Sequence, residues 1–150
     1  MMSLDVNDLI QALENENNTN VAGLSSALMK KNKNDILQKL QLSGGELKEY
    51  HKVLKDYKYV DELNELQVGR FIRWIRLDKD TTDIKLVNGA VLVNILVNEK
   101  GVFLICSGLN RGGRGGRRNV ALKFDNCLIF QKLSDQEKIL VSAIDYLEKN

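Results

Sequence analysis

The chain of 150 residues contains no proline, one histidine, one tryptophan and two cysteines. The missing proline, beside fifteen asparagines and frequent lysine and isoleucine, is what an AT-rich coding sequence produces. It points to a source and excludes no function. Two cysteines, Cys106 and Cys127, exclude a disulfide framework and a thiolate metal site. Both lie in apolar, strand-like runs, so they are expected to be small core residues. The lone histidine, His51, has no neighbouring nucleophile in sequence and falls on an apolar helical stripe. It is expected to be half-buried and structural. No apolar run approaches the roughly 20 residues needed to span a bilayer. Leu9-Ile10 is flanked by acids and amides, unlike a signal peptide. An intracellular, reducing location without a membrane partner is the expectation.

Catalytic patterns are equally scarce. The phosphate-binding pattern Gly-x-x-x-x-Gly-Lys-Ser/Thr is absent. Asp78, Asp80 and Asp83 form D-x-D-x-x-D but lack the glycine and closing glutamate of a calcium loop. They read as an acidic turn. No set of groups converges on a reaction. The expectation is a protein that is not an enzyme and uses no cofactor and no metal.

What the chain does have is unevenly placed charge. The formal net charge is only +2. Residues 1–68 carry eight lysines, no arginine and eleven acids, a net of −3. Residues 69–133 hold all seven arginines, with five lysines and five acids, a net of +7. Residues 134–150 return to −2. A basic middle between acidic flanks points toward a polyanion. Four of the arginines stand in R-G-G-R-G-G-R-R, Arg111 to Arg118, with four glycines and no acid. Arginine offers a permanent planar charge that pairs with phosphates and stacks on bases. Glycine leaves the backbone free to follow a partner. Arg111, Arg114 and Arg117 recur every three residues, roughly 10 Å apart in extended chain, so each could meet a different phosphate.

The periodicity changes along the chain. Ser3 is a candidate cap for a helix with Val6, Leu9, Ile10 and Leu13 on one stripe. A second helix is expected from Val21 to about Leu42, with Lys30–Asn34 as an interruption or an exposed side. Ser43-Gly44-Gly45-Glu46 fits a capping box for a third, carrying Leu47, Tyr50, Leu54 and Tyr57. From Gly69 the period falls to two. Strands are expected over 69–77, 86–97, 102–107, 119–125 and 127–133, with a hairpin turn at Asn98–Gly101 and a turn or bulge at Asn88-Gly89. Ser134-Asp135-Gln136-Glu137 opens a final helix. The expected class is α+β: N-terminal helices, a small five-stranded SH3-like (Tudor-like) barrel, and a C-terminal helix. The expected division is 1–66, helical, and 67–150, barrel with helix.

Gly69–Ile75 (G-R-F-I-R-W-I), Leu86–Ile95 (L-V-N-G-A-V-L-V-N-I) and Leu128–Glu137 (L-I-F-Q-K-L-S-D-Q-E) resemble small uncharacterised proteins of large nucleocytoplasmic DNA viruses. The resemblance covers about residues 60–147. It implies a viral protein acting in host cytoplasm, nucleus or virion, and no activity or residue role. The arginine–glycine octet is outside that pattern.

The leading expectation is therefore a non-enzymatic nucleic-acid-binding protein, for RNA or DNA. Arg111, Arg114, Arg117 and Arg118 would meet phosphates from a hairpin loop, with Arg70, Arg73 and Arg76 as supports. Trp74, between arginines, is expected to be a core anchor before a stacking platform. The alternative is a structural or adaptor protein, such as a minor virion component, with a protein partner on residues 1–66.

Overall fold

Three serines start helices by the same device. Ser25, Ser43 and Ser134 hold extended backbone, and each hydroxyl accepts the amide three residues on. At Ser43 and Ser134 the glutamate at that third position reaches back to the serine amide, closing both expected capping boxes. A computed structural model describes residues 5–21, 23–78, 84–109 and 117–149. Its helices are α1 (Val6–Glu14), α2 (Ser26–Gln38), α3 (Gly44–Val53) and α4 (Asp135–Glu148). Its strands are β1 (Tyr57–Val60), β2 (Phe71–Arg76), β3 (Ala90–Asn98), β4 (Gly101–Leu109), β5 (Arg117–Lys123) and β6 (Cys127–Lys132).

The helices differ from expectation in four places. Ser3 lies outside the described residues, and Asp5 caps α1 by accepting the Asn7 amide. The segment Glu16–Val21 is a 3-10 helix, and α2 starts only after Ser25. Lys30–Asn34 runs uninterrupted inside α2 and buries Lys33 to 3% exposure, so it is neither a break nor a wholly exposed side. Finally, α3 stops at Val53, and Tyr57 opens a strand. The sequence Tyr-Lys-Tyr-Val suits a pleated, half-buried surface better than a helix.

The chain forms two compact units, 1–58 with 133–150, and 59–132. The expected boundary after residue 66 and this division differ chiefly in α4. Its Leu140 and Val141 join Ala12, Val21, Met29 and Leu133 in the core of the helical unit. Polar contacts back this up: Gln136 Oε1 accepts Asn15 Nδ2 at 2.7 Å and the buried Asn18 Nδ2 at 3.2 Å.

The strands form one sheet in the order β1-β6-β2-β3-β4-β5. The pairs β2–β3, β2–β6, β3–β4 and β4–β5 are all antiparallel. This corrects the expected five-stranded SH3-like barrel. The class is α+β, but the sheet has six strands and two free ends, β1 and β5, so it does not close. One face carries Ile72, Trp74, Ala90, Leu92, Leu104, Cys106, Leu122 and Ile129. Each large aliphatic side chain so buried contributes on the order of 1.5–3 kcal/mol. In β2 and β6 the opposite positions Ile75, Leu128 and Phe130 are buried as well. That explains the unbroken apolar run Cys127–Phe130: a strand covered on both faces has no reason to alternate.

In β3 the alternation changes phase. The register shifts between Leu92 and Asn94, so Ala90 and Leu92 enter the core while Ile95 packs against it. Val93 is left 41% exposed. A bulge of one residue turns every later side chain to the other face. Gly89, just before β3, has φ +99° and lies against β2.

Candidate functional site

The β4–β5 register pairs Gly108 with Arg118 and Leu109 with Arg117. Residues 110–116 are thus the segment joining two paired strands. Arg111 and Arg114 lie outside the described residues, and Arg117 and Arg118 enter as backbone of β5. The same rungs cross the sheet: Phe71 pairs with Val91, Val91 with Ser107, and Ser107 with Asn119. Arg73 lies two residues beyond Phe71 on β2, toward the end where residues 110–116 connect. Three strand spacings, roughly 14 Å, separate β2 from β5.

The arginines of the β2 region are engaged within the sheet unit. Arg70 donates through Nη2 to the Lys132 carbonyl at 2.7 Å and through Nη1 to Gln67 Oε1 at 3.0 Å. It ties the start of β2 to the end of β6. Arg73 donates through Nε to the Val87 carbonyl at 2.9 Å. The Arg76 guanidinium lies 3.7 Å from the Asp78 carboxylate, with a side chain 41% exposed. Its Nε is buried and makes no hydrogen bond. Arg73 and Arg76 both lie toward the hairpin end of β2. Arg70 lies at the opposite end of β2 and acts as a clamp. Trp74 is 6% exposed and in the core, so it offers no stacking face.

A second basic locus lies in the helical unit, at residues that sequence reasoning passed over. A cavity of about 620 Å³ is lined by Lys30, Lys33, Lys48, Lys52, Lys55 and Lys138, with Asp56 as its one acid. Ser26, Met29, Lys30 and Lys33 come from one face of α2, at i, i+3, i+4, i+7 spacing. Lys48, His51 and Lys52 come from one face of α3, with Lys55 just beyond its end. Lys138, Val141 and Ser142 come from α4. Lys33 donates from its buried ammonium to the carbonyls of Leu54, at 2.6 Å, and Lys55, at 3.4 Å. These carbonyls lie at and just past the C-cap of α3, where a cation is favoured. Lys138 faces Asp56 at 3.9 Å.

Burial pushes the Lys33 ammonium down to about 8; Asp56 opposes this and Lys30 adds to it. His51 is half-buried, as expected, with Nε2 2.9 Å from Asn34 Oδ1. Burial first, then Lys33 and Lys30, lower its pKa from the ordinary histidine value. The signal for this site was present as lysines at helical spacing in three separate segments. Nothing local in the sequence says that the three faces meet.

Cys106 is fully buried and Cys127 partly so. Burial raises both thiols to about 11, which suits packing and not nucleophilic chemistry. Among the described residues no group of three or more His, Cys, Asp or Glu could hold a metal ion. Asp80 and Asp83 of the acidic turn lie outside those residues. No described helix is long and apolar enough to cross a membrane. No family model matches the chain, and no curated protein or solved structure matches it either.

Proposed function

We propose that the protein is a non-enzymatic nucleic-acid-binding protein that grips phosphates with the arginine–glycine segment joining β4 and β5. The observation that carries this reading is the strand register. Gly108–Arg118 and Leu109–Arg117 are paired rungs, so the segment is held at both ends. Four arginines fall within the eight residues from Arg111, and β5 is an edge strand. Arg76 and Arg73 flank the same end of the sheet, whereas Arg70 serves the fold. Contacts of this kind follow the phosphate backbone, bind RNA or DNA with little base readout, and weaken with salt.

The test compares wild type with the Arg111/Arg114/Arg117/Arg118→Ala variant by fluorescence anisotropy. Single-stranded RNA, single-stranded DNA and duplex are each titrated across ionic strength. Removing four phosphate contacts should flatten the log–log salt slope on single strands by up to about 3. Equal binding by both proteins, or no binding by wild type at low salt, sinks the reading.

A second reading has its own observation. Val6, Ile10 and Leu13 lie at i, i+4, i+7 on α1 and are 66%, 46% and 62% exposed. An apolar helix stripe facing outward suits the groove of a protein partner, as in an adaptor or minor virion component. Serine at all three positions should abolish a stoichiometric complex without lowering thermal stability. A complex that survives the change would remove this reading.

A further inference from the structure

The helical unit has ten lysines, no arginine and twelve acids. Six of those lysines and one of those acids line its cavity. Acids outnumber lysines in the unit, yet the cavity reverses the balance strongly. Among the described residues, Lys30, Lys48, Lys52 and Lys55 have no carboxylate within ion-pair distance. The carbonyls ending α3 account for Lys33 alone. The remaining ammonium groups repel one another around a shared space, and a multivalent anion is the species that relieves them.

We propose that this cavity binds a phosphorylated small molecule of nucleotide size. Its phosphates would meet Lys48, Lys52, Lys55 and Lys138, and its less polar part would rest on Met29 and Val141. The volume of about 620 Å³ lies within the roughly 300–1,000 Å³ of small-molecule sites. The walls combine cationic and apolar groups, since Met29, Leu133 and Val141 line the same space. A flat basic patch suited only to a polymer backbone would have no such enclosure. Burial, with neighbouring lysines adding to it, makes both Lys33 and His51 hold their protons less tightly than usual. A bound phosphate would strengthen both.

The experiment titrates the full chain with ATP and, separately, with inorganic triphosphate, by calorimetry at low ionic strength. The variant is Lys48→Gln/Lys52→Gln/Lys55→Gln, whose three positions are exposed in the free protein and should not disturb folding. ATP should bind wild type, and the variant should bind at least about tenfold more weakly. ATP should bind more tightly than triphosphate, and NMR should show the His51 midpoint rising as ATP is added. The Arg111/Arg114/Arg117/Arg118→Ala variant should bind ATP as wild type does, which separates this site from the hairpin. Absence of heat and of a His51 shift, or an unchanged affinity in the lysine variant, overturns the proposal. Equal affinity for ATP and triphosphate overturns the apolar contact.

Discussion

Replacing Gly89 by alanine should destabilise the sheet by about 2–4 kcal/mol, from terms that can be separated. The residue has φ +99°, where an L side chain meets its own backbone at roughly 1–2 kcal/mol. A β-carbon there would also overlap the Ile72 carbonyl oxygen and come within 2.8 Å of Phe71 Cε1 and 2.9 Å of Arg73 Cγ. The nearest obstruction, the Ile72 carbonyl, is backbone of β2 held by its pairing to both β3 and β6, so it cannot swing aside. Overlap of this kind adds roughly 1–3 kcal/mol. Restricting the unfolded chain returns somewhat less than 1 kcal/mol. The assay is urea unfolding followed by the fluorescence of Trp74, the single tryptophan, which lies in the sheet core. The midpoint should fall by about 1–2 M at an ordinary m-value. Gly45→Ala is the control, because nothing lies within 4 Å of a β-carbon at that helical position. It should raise stability by roughly 0.5 kcal/mol. If Gly89→Ala unfolds within about 0.5 kcal/mol of wild type, the close approach of β3 to β2 is not what selects glycine.

Three further outcomes follow from protonation and burial. Lys33 titrates near 8 when folded against 10.5 ordinarily, so between those values the unfolded chain holds more protons and stability should rise with pH. Lys33→Met should lose that rise; an identical slope in both proteins would refute it. His51 should be neutral at pH 7 with an NMR midpoint below the ordinary 6.5, and its contribution to stability should fall as acid protonates the unfolded chain first. A midpoint at or above 6.5 contradicts the burial and the cationic surroundings. Cys106 and Cys127, both raised to about 11, should react slowly with a disulfide reagent at pH 8 until the protein is unfolded. Rapid labelling of the native protein would show an open route to the thiols.

The elements governed by local chemistry were legible beforehand. The capping boxes at Ser43 and Ser134 need only residues three apart, and both form. The turn at Asn98–Gly101 also forms, with the Lys100 amide donating to Asn98 Oδ1 at 2.8 Å and Gly101 at φ +130°. Elements decided by distant neighbours were not legible. Tyr57 continues the helical stripe of α3, yet its segment joins a sheet completed by residues some seventy positions later. Val93 looks like a face-sharing partner of Val91 and Ile95, but the bulge removes it from the pattern. Lys33 belongs to a polar run and is nonetheless buried, because the end of α3 supplies acceptors. The candidate sites divide in the same way. The arginine octet is contiguous and announced itself, while the lysine cavity is assembled from three helices.

The strand order has a consequence for how the chain reaches its native state. β6 is the last strand in sequence but occupies an interior place between β1 and β2. α4, later still, supplies Leu140 and Val141 to the helical core. A chain emerging from the ribosome therefore exposes unpaired edges on both β1 and β2 until Lys132 is free. The sheet unit cannot close before β6 is made, and the helical unit cannot finish before α4 follows it. Such late, non-local closure slows folding and leaves strand edges open to wrong pairing. Residues 127–149 thus hold the closing piece of each structure in turn: truncation before Lys132 should leave both unfinished, and truncation within α4 the helical unit alone.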